Sequence, residues 1–298
     1  MARTKEIGII EFLEEFKTEE ACREYLYKKR FPEGFICPRC GYCKYSEHTT
    51  RNLYQCRKCQ YQASITAGTI FHKTHLPLKK WFLAMFLVSK DKRGYSAMQL
   101  SKELDIPYKT SWFLLQRLRT AMGQRDSKYM LSGVVEFDDT YFGGKKKGGK
   151  RGRGTTKTKV LAAVSKTEKG KPQYLKMQVV PNLKGVTIGR FSHGNIQDGS
   201  QIQTDAIRYY KKPLSENFSH IFEIFDAESG WLHWLHVMIG NAKSFVNGTF
   251  HGLGKKHLQL YLDEFCYRFN RRYMKFDIFH HLAGAAVLAN PITFKELK

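Results

Sequence analysis

Two cysteine pairs constrain this chain before anything else does. Cys37-Pro-Arg-Cys40 and Cys56-Arg-Lys-Cys59 are both Cys-x-x-Cys, with fifteen residues between them. Each pair fits a tight knuckle, helped at the first by Gly41, and four thiolates at this spacing close a tetrahedron around zinc. Residues 34–70 therefore read as a zinc ribbon, a small module held together by metal because it has little core of its own. Four ligands make the site closed and structural, so Cys43 and His48 are read as bystanders and Cys22 as a small apolar core residue. Seven cysteines are an odd number. With four committed to metal, the chain reads as a protein of a reducing, cytoplasmic compartment. No run approaches the roughly 18–20 apolar residues of a membrane span. The first six residues lack the apolar core of a secretory signal.

Charge points to the partner. Fifty Lys and Arg stand against 27 Asp and Glu, a net +23 over 298 residues. A chain this basic repels itself, which a polyanion relieves. Nucleic acid is the first choice; a membrane surface is weaker, since no long basic amphipathic helix is present. Around the ribbon, Arg39, Lys44, Arg51, Arg57 and Lys58 alternate with Tyr42, Tyr45, Tyr54 and Tyr61, a mixture suited to phosphate contact and groove insertion. Residues 5–30 read as helical, with a new helix starting at Thr18. A further helix is expected from Thr74 to Val88, with Pro77 in its first turn. Ser96–Leu104, a turn at Asp105-Ile-Pro107, and Tyr108–Arg119 then read as a helix-turn-helix. Tyr108, Lys109, Thr110 and Ser111 open its recognition helix and are placed to reach base edges.

From Val134 the hydrophobic period changes. Val134–Phe137, Lys159–Val164, Tyr174–Val180 and Gln201–Thr204 read as strands, and helices return near Ala206–Tyr210, Leu232–Phe245 and Lys255–Asn270. The expected fold class is α/β, with a mixed sheet. Asp138 and Asp205 each end an apolar strand, facing a cleft. Hard oxygen ligands of this kind suit Mg²⁺ or Mn²⁺. Two such ions activate the attacking oxygen and stabilise the leaving one in an in-line displacement at phosphorus. Strand alternation puts Glu136 and Asp138 on one face and Asp139 on the other, so Glu136 is expected to assist and Asp139 to orient the following loop. That loop, 143–158, opens with Gly143-Gly144. Its Lys145, Lys146, Lys147, Lys150, Arg151 and Arg153 read as a mobile arm that leads DNA to the metal.

The order of these motifs adds a resemblance. Zinc ribbon, Ala67-Gly-Thr-Ile70, helix-turn-helix, Val135-Glu-Phe-Asp138-Asp-Thr-Tyr-Phe-Gly-Gly-Lys145 and Thr204-Asp205 come first. Gly248-Thr-Phe-His251-Gly and Tyr261-Leu-Asp-Glu-Phe-Cys-Tyr-Arg-Phe-Asn-Arg-Arg272 follow. The series resembles the zinc-ribbon insertion-sequence transposases, often called the ISXO-two-like group, from about Phe12 to Asn270. The resemblance implies a ribonuclease-H-like catalytic domain of the DDE kind, with Asp138 as first metal ligand and Asp205 as second. At the third position the usual Glu is missing, for Leu232–Lys243 contains no carboxylate. Some branches of the group carry Asn there with a Lys nearby. Asn241 is accordingly the expected third ligand to the catalytic magnesium, with Lys243 as a phosphate contact and His236 as the competing ligand. Asp226 and Glu228 are the remaining nearby carboxylates.

The resemblance further implies a DNA transposase of the bacterial cytoplasm, at the nucleoid. It would bind terminal inverted repeats of double-stranded DNA, hydrolyse a phosphodiester to free a 3′-OH, and join that end to target DNA. It would act as a homodimer or larger assembly. The rival reading is a non-catalytic DNA-binding regulator descended from such an enzyme. The expected domains are an N-terminal helical segment (1–33), the ribbon (34–70), the helix-turn-helix region (71–130) and the catalytic domain (131–298), with the apolar segment 276–290 covering the core.

Overall fold

Thr18 starts the first strongly capped helix, its hydroxyl accepting the Ala21 N–H at 3.1 Å, the N-cap geometry that satisfies an otherwise orphaned donor. The computed structural model describes residues 7–144, 148, 154–215, 217–224, 230–251, 253–274 and 278–297. Two compact units result, one of Met1–Arg125 with Tyr273–Lys298, the other of Asp126–Arg272.

The first unit begins with α1 (Ile9–Glu15) and α2 (Glu19–Arg30), then an antiparallel meander of β1 (Tyr45–His48), β2 (Leu53–Cys56) and β3 (Gln62–Ala63). Cys22 is fully buried on α2, and burial pushes its thiol up to about 12, as expected of a core residue. In the meander the four cysteines come together, all sulfurs within 4.8 Å of one another. Cys37 Sγ lies 3.6 Å from Cys59 Sγ, and Cys40 Sγ lies 3.6 Å from Cys56 Sγ. These separations are far beyond a disulfide of about 2.05 Å and near the ~3.8 Å edge of a tetrahedron with Zn–S bonds of about 2.3 Å. Cys43 and His48 stand outside the cluster; the His48 ring is bonded to Gln55 instead.

The ribbon does have a core, contrary to expectation, and it borrows part of it. Tyr27 of α2 and Phe31 just after it pack with Phe35, Tyr45 and Tyr54, ring centres 4.8–5.4 Å apart along the chain Phe31–Phe35–Tyr45–Tyr54–Tyr27. Arg30 anchors the same joint by donating to the carbonyls of Ser64 and Ile65. Tyr45 and Tyr54 are therefore packing residues; Arg39, Lys44, Arg51, Arg57 and Lys58 stay exposed.

Next comes α3 (Leu78–Lys90), which starts after Pro77, later than its apolar pattern suggested. The distant Glu19 carboxylate supplies its cap, accepting the N–H groups of Leu78 and Lys79 at 2.9 Å each. Two further helices, α4 (Ala97–Leu104) and α5 (Tyr108–Asp126), form the expected helix-turn-helix. Ser96 caps α4, and Asp105 turns the chain in the left-handed region at φ 47°. Tyr108, Lys109 and Thr110 are exposed at the start of α5. Ser111 is not: it is fully buried, and its hydroxyl donates to the carbonyls of Ala97 and Tyr108, locking the turn.

The second unit is a five-stranded mixed sheet. Its elements are β4 (Val134–Phe142), β5 (Thr158–Lys166), β6 (Pro172–Val180), α6 (Gly185–Asn195), β7 (Gln201–Asp205), α7 (Arg208–Leu214), β8 (Ser219–Glu223), α8 (His233–Thr249) and α9 (Leu258–Asn270). The spatial order is β6-β5-β4-β7-β8: an antiparallel meander, then two parallel additions. Helices α6 and α7 bury one face of the sheet, α8 and α9 the other. This is the ribonuclease-H-like mixed α/β architecture expected for the region.

The chain then returns to the first unit through α10 (Ile278–Leu288) and α11 (Phe294–Leu297). Phe279 of α10 enters the aromatic core around Phe12, Phe16 and Phe82, at 5.3, 5.4 and 5.8 Å between ring centres. The expected domain limit of 298 is thus corrected. The sheet unit ends at Arg272, and the apolar C-terminal segment completes the core of the N-terminal helices. Among the described residues no helix is long and apolar enough to cross a membrane.

Chelation gives a direct check on the ribbon. Stripping zinc, or Cys56→Ser, should abolish amide-exchange protection in β1–β3 while leaving protection in β4–β7 intact; retained protection in the ribbon would rule out a structural zinc.

Candidate active site

The central strand β4 carries the site. Its odd-numbered Val135 and Phe137 are buried with Phe191 of α6 and Tyr210 of α7, whereas its even-numbered Phe142 is buried with α8 and α9. Two-residue periodicity then puts Asp138 on the α8 face and Asp139 on the α7 face. β4 does not end at Asp138, as its sequence suggested; it stays paired with β5 to its last residue, Phe142 opposite Thr158. What ends is the parallel pairing with β7, which joins Val134–Glu136 to Gln201–Gln203 and stops. Extending that register by two residues sets Asp138 level with Asp205, the last residue of β7. Ile202 faces the α6–α7 core, so Asp205, of opposite parity, shares the α8 face with Asp138. Both aspartates border the crevice where two parallel strands part, the place where open α/β sheets bind ligands.

This placement is electrostatically costly. Burial pushes the Asp138 carboxyl up to about 7, and the like charges of Asp139 and Asp205 add to the effect. The Asp139 N–H, donating to Asp138 Oδ1 at 2.7 Å, and the Tyr210 hydroxyl, donating at 3.2 Å, oppose it. Paired hard oxygens that repel one another suit a divalent cation, so the donor set fits Mg²⁺ or Mn²⁺. Among the described residues only the ribbon cysteines bring three or more ligand atoms within 4.8 Å of one another.

Tyr209 and Tyr210 were not singled out in the sequence. Tyr209 donates to Asp139 Oδ1, and the single hydroxyl proton of Tyr210 is shared between Asp139 Oδ1 at 2.9 Å and Asp138 Oδ1 at 3.2 Å. Asp139 is therefore tied to α7 and does not orient the loop. Burial and the two carboxylates hold the Tyr210 phenol well above its ordinary value, so it remains a donor. The signal was the Tyr-Tyr pair just after Asp205, on a helix that must pack back beneath the sheet.

Glu136 is also spoken for. It is buried, its Oε1 lies 3.1 Å from Lys166 Nζ, and its Oε2 accepts the Leu235 N–H at 2.8 Å. Lys166 donates in turn to Gln203 Oε1. Leu232, the residue before α8, offers no side-chain cap, so a carboxylate from the sheet caps the helix instead. Removing one partner of a buried pair of this kind costs about 3–5 kcal/mol. Its role is to seat α8.

Along α8 the buried stripe is Leu235, Met238, Ile239, Ala242, Phe245 and Val246. His236 and Lys243, two turns apart, occupy one flank of it. Burial lowers the proton affinity of His236, with Glu136 opposing and Lys243 and His233 adding. Burial and then Lys157 lower that of Lys243, with Asp138 opposing. This flank therefore faces the carboxylates. The other flank carries Trp234, whose Nε1 donates to the Gly170 carbonyl, and Phe245, 5.6 Å from the Phe265 ring of α9. Asn241 falls on this second flank, seven residues after Trp234 and four before Phe245, and is exposed. Helix phase thus sets Asn241 on the opposite flank of α8 from His236 and Lys243.

Lys145, Lys146, Lys147, Lys150, Arg151 and Arg153 lie outside the described residues, as do Asp226 and Glu228. The two ends of the basic connection are described. Gly143 leaves β4 at φ 136°, a conformation few other residues adopt, and the Lys157 stem packs 3.6 Å from where a Cβ on Gly143 would stand.

Comparisons with known proteins bear on which domains the chain carries. A family model described as an ISXO2-like transposase domain matches residues 130–270, and one described as a transposase zinc-ribbon domain matches residues 17–62. An uncharacterized protein in transposable element ISH50, from Halobacterium salinarum, is 27% identical over 254 residues, 79% of each chain. A pre-cleavage Mos1 transpososome aligns over 68% of this chain and 77% of that one, at 8% identity and a TM-score of 0.23. A Mos1 strand transfer complex aligns over 64% and 76%, at 9% identity and 0.24. Similarity that slight bears on neither geometry nor chemistry. The ribbon and the aspartate-bearing sheet are each matched by a transposase domain, in the same order, so the chain carries a transposase zinc-ribbon domain followed by an ISXO2-like transposase domain.

Proposed function

We propose that the chain is a metal-dependent DNA transposase that hydrolyses a phosphodiester at the ends of its element to free a 3′-OH and then joins that end to target DNA. One observation carries this reading: Asp138 and Asp205 stand level, on one face, where parallel strands part. When bound there, one or two divalent cations would supply charge to the phosphate oxygens and to the attacking and leaving oxygens. Asp138 and Asp205 hold them. His236 would be the third ligand on this reading, in place of Asn241, through a ring nitrogen whose proton affinity partial desolvation lowers. Lys243 binds a phosphate oxygen beside them. Tyr210 positions Asp138 and Asp139 and excludes water from behind the pair. Lys157 and the basic connection before it neutralise DNA backbone. Tyr108, Lys109 and Thr110 read the terminal repeats in the major groove, with the exposed basic residues of the ribbon on neighbouring phosphates. Two ends processed together imply at least a dimer on DNA.

The absence of a carboxylate on the described part of α8 favours one alternative, a DNA-binding regulator without activity. Strand cleavage on DNA carrying the element ends, with Mg²⁺ or Mn²⁺, separates the two. The transposase reading expects nicking by the native protein. Asp138→Asn or Asp205→Asn should cost more than the ~100-fold typical of losing an outer-shell partner, and Tyr210→Phe about 10-fold. Tight binding of the ends with no nicking in either metal would leave the regulator standing.

The third ligand has its own test. His236→Ala should fail like the aspartate variants, His236→Glu should recover part of the activity, and Asn241→Ala should cleave much as the native protein does. Undiminished cleavage by His236→Ala would remove His236 from the site.

A pH dependence follows from Asp138. Its folded value of about 7 lies above the ordinary 3.8, so the metal-free fold keeps a proton that the unfolded chain releases. Its contribution to stability falls as pH rises from about 4 to about 7. A bound cation removes that penalty, so the thermal stabilisation by Mg²⁺ should grow between about pH 6 and pH 8. In Asp138→Asn that growth should vanish; persistence would place the cation elsewhere.

A further inference from the structure

Past Asp138, the α8 face of β4 ends at Phe142, and there a cleft of about 320 Å³ opens between the end of β4, the start of β5 and the last turns of α8. Phe142, Val246 and Phe250 form an apolar wall, and Asn247, Lys157 and Lys255 supply polar and cationic groups. The chemistry proposed for the aspartates does not use this space. Its volume lies at the lower end of small-molecule pockets, about 300–1,000 Å³.

The cleft communicates with the carboxylates. Lys157 lines it and presses electrostatically on Lys243, which is itself drawn by Asp138. Lys243 Nζ also stands 6.0 Å from the centre of the Phe142 ring, a wall of the cleft. Four residues of strand separate Asp138 from Phe142, about 13 Å. A strand whose phosphate lay at Asp138 and Asp205 would therefore run its next nucleotides along Lys243 and Lys157 to this recess. Flat apolar walls receive an aromatic ring, the Asn247 amide offers a donor and an acceptor to its edge, and lysines at the rim receive the flanking phosphates.

We propose that this cleft takes an unstacked nucleobase of the DNA end, one of the first few beside the phosphate held at Asp138 and Asp205. This rests on the transposase reading above. Enzymes that do chemistry on a base extrude its nucleotide into a shaped pocket, which shows that such a pocket can take up the cost of unstacking. Here the extruded base would hold the end in register while its phosphate sits at the aspartates.

The test uses the full chain, zinc retained and no added divalent cation, so that DNA ends stay intact. 2-Aminopurine is placed in turn at each terminal position. Its fluorescence should rise several-fold on binding at one position and stay quenched at the others. Asn247→Trp, which fills the cleft from the solvent side of α8, and Lys255→Glu, an exposed rim change, should both suppress that rise. Both should also slow cleavage when Mg²⁺ is restored, by more than any loss of end binding seen by anisotropy. Native binding and cleavage with no brightened position would overturn the cleft assignment and leave the transposase reading intact. The same holds if the rise is untouched in both variants. Saturable binding of free 2-aminopurine deoxynucleotide that Asn247→Trp abolishes, with no brightening in DNA, would make the cleft an effector site and overturn the proposal too. Failure to bind or cut element ends at all would bring down both readings together.

Discussion

The parting of β4 from β7 is the constraint on which the catalytic unit depends. Parallel pairing holds for three residues on each strand and then stops, so two carboxylates emerge level on one face. Such a juxtaposition is unfavourable without a cation, because burial and like charge both oppose ionisation. The fold tolerates it through the groups behind it. Tyr210 and the Asp139 N–H donate to Asp138, and Lys166 neutralises Glu136 further down the same face.

The same neutralised glutamate settles the orientation of the opposing helix. Because the Leu235 N–H is bonded to Glu136, α8 cannot turn freely about its axis, and its apolar stripe must meet the sheet. Those two restraints choose the flank that overlooks the aspartates. His236 and Lys243 share one flank of that stripe; Asn241 lies on the other. A helical wheel of α8 alone shows that the two sets differ by about half a turn, but not which set faces the metal.

In the first unit the dependence runs between distant segments. The ribbon closes around its four sulfurs, yet its aromatic core includes Tyr27 from α2. That helix in turn belongs to a cluster completed by Phe279, at the far end of the chain. A C-terminal segment reached only after the whole sheet unit is thus part of the N-terminal core. No local pattern announces this, since an apolar helix buries equally well against any apolar partner.

Much of the architecture was legible because it rests on short-range rules. Cysteine spacing dictated the ribbon, Ser96 and Pro107 marked the helix-turn-helix, and period-two alternation separated Asp138 from Asp139. Two elements escaped notice for equally local reasons. α6 carries Gly185, Gly189 and Gly194, which weaken the helical signal, and β8 is a short edge strand read as loop. Three further points lay beyond any reading of neighbours: the length of β4, the engagement of Glu136 and the tyrosines under Asp139. The sequence by itself determined which side chains share a strand face or a helix flank, because backbone geometry repeats every 2 or 3.6 residues. Only the tertiary structure decided which flank meets which face, because that follows from pairing register and a buried ion pair between residues far apart in the chain.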